Sequence, residues 1–186
     1  MAISPIIFKA RGSVRGSARG LARGAISLLL LLTLAPFAAV AKDVTIMGKS
    51  GYPVPRYVTL ASNTVNVRTG PDGKYPILWI FKKAGLPIKV IAEYKDWRKI
   101  IDSEGETGWI WGPLLSSKRN GLIVASSQTL LKKPNESGLP AVIAEAGVIG
   151  KIKKCAGGWC QLDVNGFKGW LKQSEFWGTL DGEAFD

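Results

Sequence analysis

Two cysteines, Cys155 and Cys160 in the stretch CAGGWC, are the residues of this chain most able to do covalent chemistry. Close cysteines form a disulfide, hold a metal or exchange electrons with a substrate. The Ala-Gly-Gly between them is a turn signal flanked by β-prone runs, so the cysteines can face each other across a hairpin. A metal site lacks its other ligands here, and a redox pair prefers Cys-x-x-Cys spacing. We therefore predict a structural disulfide, with no metal bound.

The chain contains no histidine, which excludes Ser-His-Asp catalysis, Cys-His catalysis and His-ligated zinc. Paired carboxylates remain formally able to hydrolyse a glycosidic bond. The acidic residues of the middle of the chain lie in or near predicted turns, where a solvated charge is the ordinary explanation; they are Glu93, Asp96, Asp102, Glu104 and Glu106. No stretch resembles a phosphate-binding loop or a dinucleotide fingerprint. We predict no catalytic residue, no cofactor and no enzymatic activity.

The first 41 residues have the pattern of a secretory signal peptide. Five cations, with no acidic residue before Asp43, precede an apolar run that ends in small residues at Ala39 and Ala41. An uncleaved membrane anchor is the alternative, but the run is short for a spanning helix and Pro36 interrupts it. We predict cleavage after Ala41, no stable membrane span afterwards, and a periplasmic or secreted protein.

The net charge of the chain is +11, and loss of the five N-terminal cations leaves +6. This surplus favours an anionic partner such as cell-wall peptide carboxylates, acidic lipid headgroups or an acidic protein. A basic surface that only keeps the protein soluble is an equal alternative. The Arg-Gly repeats near the start are typical of nucleic-acid-binding segments, but directly before an export segment they read as its positive region. We expect no nucleic-acid partner.

From Tyr57 onward, short runs rich in Val, Ile and Trp alternate with turn residues, as in a small antiparallel barrel or sandwich. The second half repeats the first in order and at a nearly constant spacing of about 62 residues. The matched landmarks are Pro71 and Pro134, Gly85 and Gly147, Trp97 and Trp159, and Trp109 and Trp170. We predict a signal peptide at 1–41, an extension at 42–56, modules at 57–117 and 118–178, and a tail at 179–186. The short connection between the modules predicts that they touch.

The motif VNVRTGP, followed by DW and then GETGWI, resembles the bacterial SH3 (SH3b) family. The second copy, with KKP, CAGGWCQL and GFKGWLKQSEFWG, is similar to a branch of exported bacterial proteins that carry two such modules. The resemblance covers roughly residues 57–178. It implies an all-β fold of two tandem five-stranded SH3-like β-barrels and a non-catalytic binding role, often toward cell-wall material. In the second copy Thr129 and Leu131 replace Asn66 and Arg68, which puts a ligand role at that arginine position in doubt for the second module.

Strand alternation places Trp97 on the face opposite to Ile100, so a buried Ile100 leaves Trp97 on the outer face or at the lip of the barrel. By resemblance to SH3 domains generally, Trp97 aligns with the aromatic residue of the peptide groove, and Trp111 with the position that closes it. Arg68 can add a bidentate contact to a carboxylate. Two alternatives stay open: Trp97 and Trp109 cover barrel edges or join the modules, and Arg68 pins its own turn by bonding backbone carbonyls.

These features predict a protein of the cell envelope that binds without catalysing, with cell-wall (peptidoglycan) peptide as the leading ligand. The alternative is a scaffold whose two barrels dock an envelope protein. Cell-wall hydrolases commonly attach such modules to a catalytic domain, and the repeats with their short tail leave no residues for one in this chain.

Overall fold

The alternating apolar runs and turns of the sequence become antiparallel strands in a computed structural model that describes residues 45–186. The predicted signal peptide and its cleavage site after Ala41 lie outside the described residues. The described part of the chain belongs to one compact unit, Ala41–Asp186. It begins with a two-stranded hairpin formed by β1 (Ile46–Met47) and β2 (Pro53–Val54).

The first module is a seven-stranded sheet. Its strands are β3 (Arg56–Leu60), β4 (Val65–Arg68), β5 (Ile77–Phe81), β6 (Pro87–Tyr94), β7 (Trp97–Ile101), β8 (Thr107–Trp111) and β9 (Leu115–Ser116). A 3₁₀ turn, Gly112–Leu114, connects the last two strands. The hydrogen-bonded order is β5-β4-β8-β7-β6-β3-β9.

The second module repeats this arrangement strand by strand. Its strands are β10 (Asn120–Leu122), β11 (Gln128–Leu131), β12 (Pro140–Ala144), β13 (Ile149–Ala156), β14 (Trp159–Val164) and β15 (Phe167–Lys172). A 3₁₀ turn, Gln173–Glu175, follows. The order β10-β13-β14-β15-β11-β12 is that of the first sheet read from the other end. Trp177 bridges Leu122 in the second module, as Leu115 pairs with Leu60 in the first.

The predicted all-β fold of two SH3 repeats is confirmed, but neither sheet is a closed barrel. In the first sheet the strands at the two ends, β5 and β9, are not hydrogen-bonded to each other. Irregularities of register also recur in both copies, between Val67 and Arg68 and between Leu130 and Leu131. These shifts increase local twist, which lets a small open sheet curve around its own core.

Each module has a separate apolar core made by the inward residues of its strands. Val65, Val67 and Ile100 are fully buried in the first core, and Leu130 and Leu162 in the second. Burying one such side chain contributes about 1.5–3 kcal/mol. Buried and partly buried residues alternate along β4 and β14, as the sequence pattern predicts.

The predicted disulfide is confirmed, between Cys155 on β13 and Cys160 on β14. Gly157 and Gly158 adopt φ values of 58° and 80° in the turn between the strands. Such values suit the tight hairpin turn that brings the cysteines opposite each other. Cys155 also exchanges two backbone hydrogen bonds with Phe185, so the disulfide hairpin holds the C-terminal tail.

The two modules touch through polar and aromatic contacts, as their short connection predicts. Trp177 Nε1 donates to the Pro87 carbonyl (3.2 Å), and its ring meets Tyr57 edge-on with centroids 5.1 Å apart. Asn120 Nδ2 donates to the Gly85 carbonyl at 2.8 Å. No helix within residues 45–186 is long and apolar enough to cross a membrane.

Candidate functional site: an aromatic groove on the first module

One face of the first sheet concentrates aromatic and basic side chains. Trp97 on β7 lies directly opposite Trp111 on β8, and Arg68 on β4 lies opposite Trp109. Directly opposed residues on antiparallel strands project from the same face, and so do residues two apart on one strand. All four side chains therefore belong to one face, whereas Ile100 and its neighbours on the other face fill the core.

A cavity of about 310 Å³ opens on this face. It is lined by Asn66, Arg68, Gly73, Trp97, Trp111 and Leu114. The structure thus brings together Arg68, Trp97 and Trp111, the three residues that the sequence predicted as ligand-binding. Trp111 is 46% exposed, so a large apolar surface at the cavity rim is open to a partner.

A second cavity of about 340 Å³ lies on the other side of Trp97. It runs between the loop 69–76 and the turn after β6, and includes Tyr75 and Tyr94, which are 39% and 47% exposed. We call the two cavities and the Trp97 ring that they share the aromatic groove. The two tyrosines were missed by sequence reasoning, because only the fold brings the loop 69–76 beside the turn after β6.

Lysines accompany both tyrosines. Lys95 Nζ lies 5.6 Å from the Tyr94 ring centre, and Lys74 Nζ lies 6.0 Å from that of Tyr75. Both distances fall within the range of cation–π attraction. The groove therefore presents aromatic faces beside two lysines, and Asp72 and Asp96 also line this part of it.

Arg68 also satisfies the alternative that the sequence left open for it. Its Nη1 donates to the Tyr75 carbonyl at 2.7 Å and so closes the loop 69–76. A guanidinium carries five N–H donors, so this contact leaves donors for a ligand carboxylate in the cavity that Arg68 lines. Gly70 serves the same loop by close packing, since a Cβ there would fall 2.7 Å from the Tyr75 ring.

The second module keeps the place of this groove but changes its chemistry. A cavity of about 410 Å³ contains Trp159, the counterpart of Trp97, together with Leu131 at the position of Arg68. Lys172 lies opposite Trp159, where Trp111 lies opposite Trp97 in the first module. Its Nζ binds Glu136 at 2.6 Å and lies 5.6 Å from the Trp159 ring centre. The hydrogen bond and charge of Lys172 lower the pKa of Glu136. An exposed ion pair therefore lies beside Trp159, where the first module has Trp111 beside Trp97.

The contacts between the modules described above are made by Trp177 and Asn120, not by Trp97 or Trp109. This leaves Trp97 available on its own face, against the alternative that it joins the modules. Trp177 lies at the end of the second repeat, and its partners Tyr57 and Pro87 are far away in sequence. No local pattern could have indicated that pairing.

Two of the acidic residues that the sequence placed in solvated turns are buried instead. The Glu93 side chain is only 2% exposed and pairs with arginines. Asp102 is 8% exposed, and its Oδ1 accepts the backbone N–H groups of Glu104 and Glu106 at 3.0 and 2.9 Å. The expectation of a solvated charge was wrong for Glu93 and for Asp102, because a carboxylate that accepts several hydrogen bonds can be buried at low cost.

Comparison with known families matches the bacterial SH3 domain twice, at residues 61–117 and 125–178. Among curated proteins, none matches the chain significantly.

Three solved structures resemble parts of the fold. NlpC1 from Trichomonas vaginalis is 14% identical, with 71% of this chain and 49% of that chain covered and a TM-score of 0.30. An NlpC/P60 family protein from Bacillus cereus ATCC 10987 is 12% identical, with coverage of 66% and 57% and a TM-score of 0.30. NlpC2 from Trichomonas vaginalis is 13% identical, with coverage of 67% and 48% and a TM-score of 0.30. This chain spans about half the length of the structures that it matches.

Proposed function

Because the chain belongs to the bacterial SH3 domain family, we propose that it is a non-catalytic exported protein that binds cell-wall peptide through the aromatic groove. The observation that carries this proposal is the convergence of Arg68, Trp97 and Trp111 on one cavity of the first module. The corresponding cavity of the second module holds an ion pair instead.

The chemistry of the groove suits a peptide with carboxylate groups. Guanidinium binds a carboxylate in a bidentate geometry, and flat aromatic rings give large contact area at low entropic cost. Peptidoglycan peptides offer free carboxylates for the guanidinium and an extended backbone for the aromatic rings. The net charge of +6 that remains after removal of the N-terminal cations favours the approach of such a polyanionic surface.

The proposed place of action is the cell envelope, in the periplasm or outside the cell. The N-terminal pattern predicts export, and the Cys155–Cys160 disulfide suits an oxidising compartment. The second candidate function is a scaffold for an envelope protein. The exposed tyrosines Tyr75 and Tyr94 favour it, because they add aromatic surface beyond the cavity that Arg68 lines.

Co-sedimentation of residues 42–186 with purified, protein-free sacculi tests the proposal. The wild-type protein is expected to pellet, and less so as salt screens the basic surface. Trp97→Ala should weaken pelleting by about tenfold or more, as loss of a central aromatic anchor does. Trp159→Ala, at the corresponding place in the second module, is the matched control and should pellet like the wild type.

Each outcome separates the alternatives. Wild-type protein that stays in the supernatant at low salt contradicts wall binding and directs the search to protein partners by enrichment from envelope extract. Unchanged pelleting of a folded Trp97 variant would place binding outside the aromatic groove, and equal losses in the Trp97 and Trp159 variants would contradict a site confined to the first module. Release of soluble wall fragments by purified protein would contradict the non-catalytic role.

A further inference from the structure

A cavity of about 460 Å³ lies away from the aromatic groove and has a different chemistry. The arginines Arg56, Arg98 and Arg119 line it, together with Pro53, Tyr57 and Leu115. Arg98 and Trp97 are neighbours on β7, so alternation directs their side chains to opposite faces of the sheet. Much of the cavity comes from the N-terminal extension, the connection between the modules and the C-terminal tail.

Two of these arginines are held in place by a buried carboxylate. Glu93 Oε1 lies 2.8 Å from Arg56 Nη2 and 3.3 Å from Arg98 Nε. The Ser50 hydroxyl and backbone N–H also donate to Glu93, at 2.7 and 2.8 Å. Burial acts to raise the pKa of Glu93, but the hydrogen bonds from Ser50 and Arg56 and the charge of Arg98 together lower it. Glu93 is therefore an anion that fixes two guanidinium groups.

The second module shows that this anchor is particular to the first. Glu93 lies opposite Arg98 in the β6–β7 hairpin, at the place where Cys155 lies opposite Cys160 in the β13–β14 hairpin. A disulfide is sufficient to hold such a hairpin. The first module has in its place an ion pair whose arginine also donates to the Lys95 and Trp97 carbonyls through Nη1 and lines the cavity.

Among residues 45–186, the three arginines of the cavity are matched by two carboxylates, Glu93 and Glu183. Arg119 binds Glu183 through Nη1 and Nη2 at 2.6 and 2.8 Å, so that pair is balanced. Arg56 and Arg98 share the single charge of Glu93. Their side chains are 16% and 15% exposed, so their surplus positive charge faces a partly desolvated space, where an anion is bound more strongly than on an open surface.

The remaining wall of the cavity is partly apolar, and Ser50, Ser116 and Ser117 also line it. Tyr57 and Val58 are buried beneath it, and Pro53 and Leu115 stand at its sides. One surplus charge matches a singly charged carboxylate better than a phosphate dianion, and the apolar wall matches a hydrocarbon group. We propose that this cavity binds a carboxylate carried on an apolar group, as found at the C-terminal residue of a peptide. The site is separate from the aromatic groove.

The test uses N-acetyl-L-leucine as the probe for residues 42–186, followed by the NMR signals of the arginine side chains. N-acetyl-L-leucinamide, which lacks the charge, and inorganic phosphate are the comparison ligands. The acid should bind with a Kd in about the millimolar range, as expected of so small a ligand. The amide should bind about tenfold more weakly, since a charge-assisted hydrogen bond is lost. Arg98→Gln should weaken the acid by about tenfold too, whereas Lys168→Gln, the same charge change on the exposed surface of the second module, should not.

A measurement on the wild-type protein tests the proposal even if the Arg98 variant does not fold. Nuclear Overhauser effects between the probe methyl groups and Leu115 are expected if the apolar group lies on the proposed wall. Equal affinity for acid and amide, unaltered affinity in a folded Arg98→Gln variant, or contacts elsewhere on the surface would overturn the proposal. Phosphate binding without binding of the acid would overturn it as well, since the ligand class would then be wrong.

Discussion

Arg68 contacts the backbone of its own loop and also lines the aromatic groove. Replacing it with lysine separates the role of its positive charge from the role of its planar guanidinium group. Arg68→Lys keeps the charge but loses the planar fork that binds a carboxylate in a bidentate manner. We expect Arg68→Lys to weaken sacculus binding by about tenfold while its salt dependence persists. Co-sedimentation over a salt series checks this. Binding that is unchanged in the lysine variant would mean that Arg68 acts only as a point charge or through its bond to Tyr75.

Glu93 makes a second residue-scale prediction, about pH. Its pKa is lowered in the folded chain, so the stability from its contacts is present above the unfolded pKa of about 4.3 and lost as pH falls through the folded value. Glu93→Gln should flatten the loss of stability below about pH 5. At neutral pH it should cost about 2 kcal/mol, less than for a fully buried pair because the arginines are partly exposed. Denaturant unfolding across pH measures both effects, with Glu104→Gln as the charge control; an unchanged acid slope in Glu93→Gln would contradict the argument.

Strand alternation placed Trp97 on the outer face, and the resemblance to SH3 domains indicated Trp97 and Trp111. Arg68 was a candidate because a guanidinium can bind a carboxylate in a bidentate geometry. The sequence could not indicate that Glu93 is buried, because the partner Ser50 is 43 residues away. A local pattern reports which face a residue occupies on its own strand. Which distant segment covers that face is decided by tertiary packing, so the arginine-lined cavity emerged only from the fold.

At the scale of elements, the β6–β7 hairpin of the first module has the Glu93–Arg98 ion pair, and the equivalent β13–β14 hairpin of the second module has the Cys155–Cys160 disulfide. Replacing both Cys155 and Cys160 with alanine should cost about 2 kcal/mol in the chain-entropy model, since the closed loop is short. The β13–β14 strands also hold Phe185 by two backbone hydrogen bonds, so the loss should loosen the tail as well. Hydrogen exchange resolved by residue should show faster exchange at 155 and 185, with β6 and β7 unaffected. Equal loosening of the first module would contradict independent hairpins.

Strand alternation and turn residues made the elements the most predictable level of this structure. TVNVRT, PIKVIAEY and TGWIW each contain a strand that the structure shows, and the Gly-Gly turn between the cysteines has the positive φ values that a tight hairpin needs. Closure of the sheets was not predictable in the same way. Whether edge strands meet depends on accumulated twist and on the segments that cover them, and here β5 and β9 remain apart.

At the scale of the whole molecule, the two modules are joined through Trp177, whose ring meets Tyr57 and whose Nε1 donates to Pro87. Such a shared side chain couples the unfolding of both modules, because its burial is lost when either one unfolds. Trp177→Ala should cost about 2 kcal/mol, below the value for a fully buried tryptophan since the ring is partly exposed. It should also separate one thermal transition into two.

Trp170→Ala is the matched control, because Trp170 lies on the outer face of the second sheet under Lys154, 5.3 Å from its Nζ. That variant should destabilise the second module while leaving the two modules coupled. Calorimetry distinguishes these outcomes, and a single transition in the Trp177 variant would mean that the polar contacts at Gly85 suffice to join the modules.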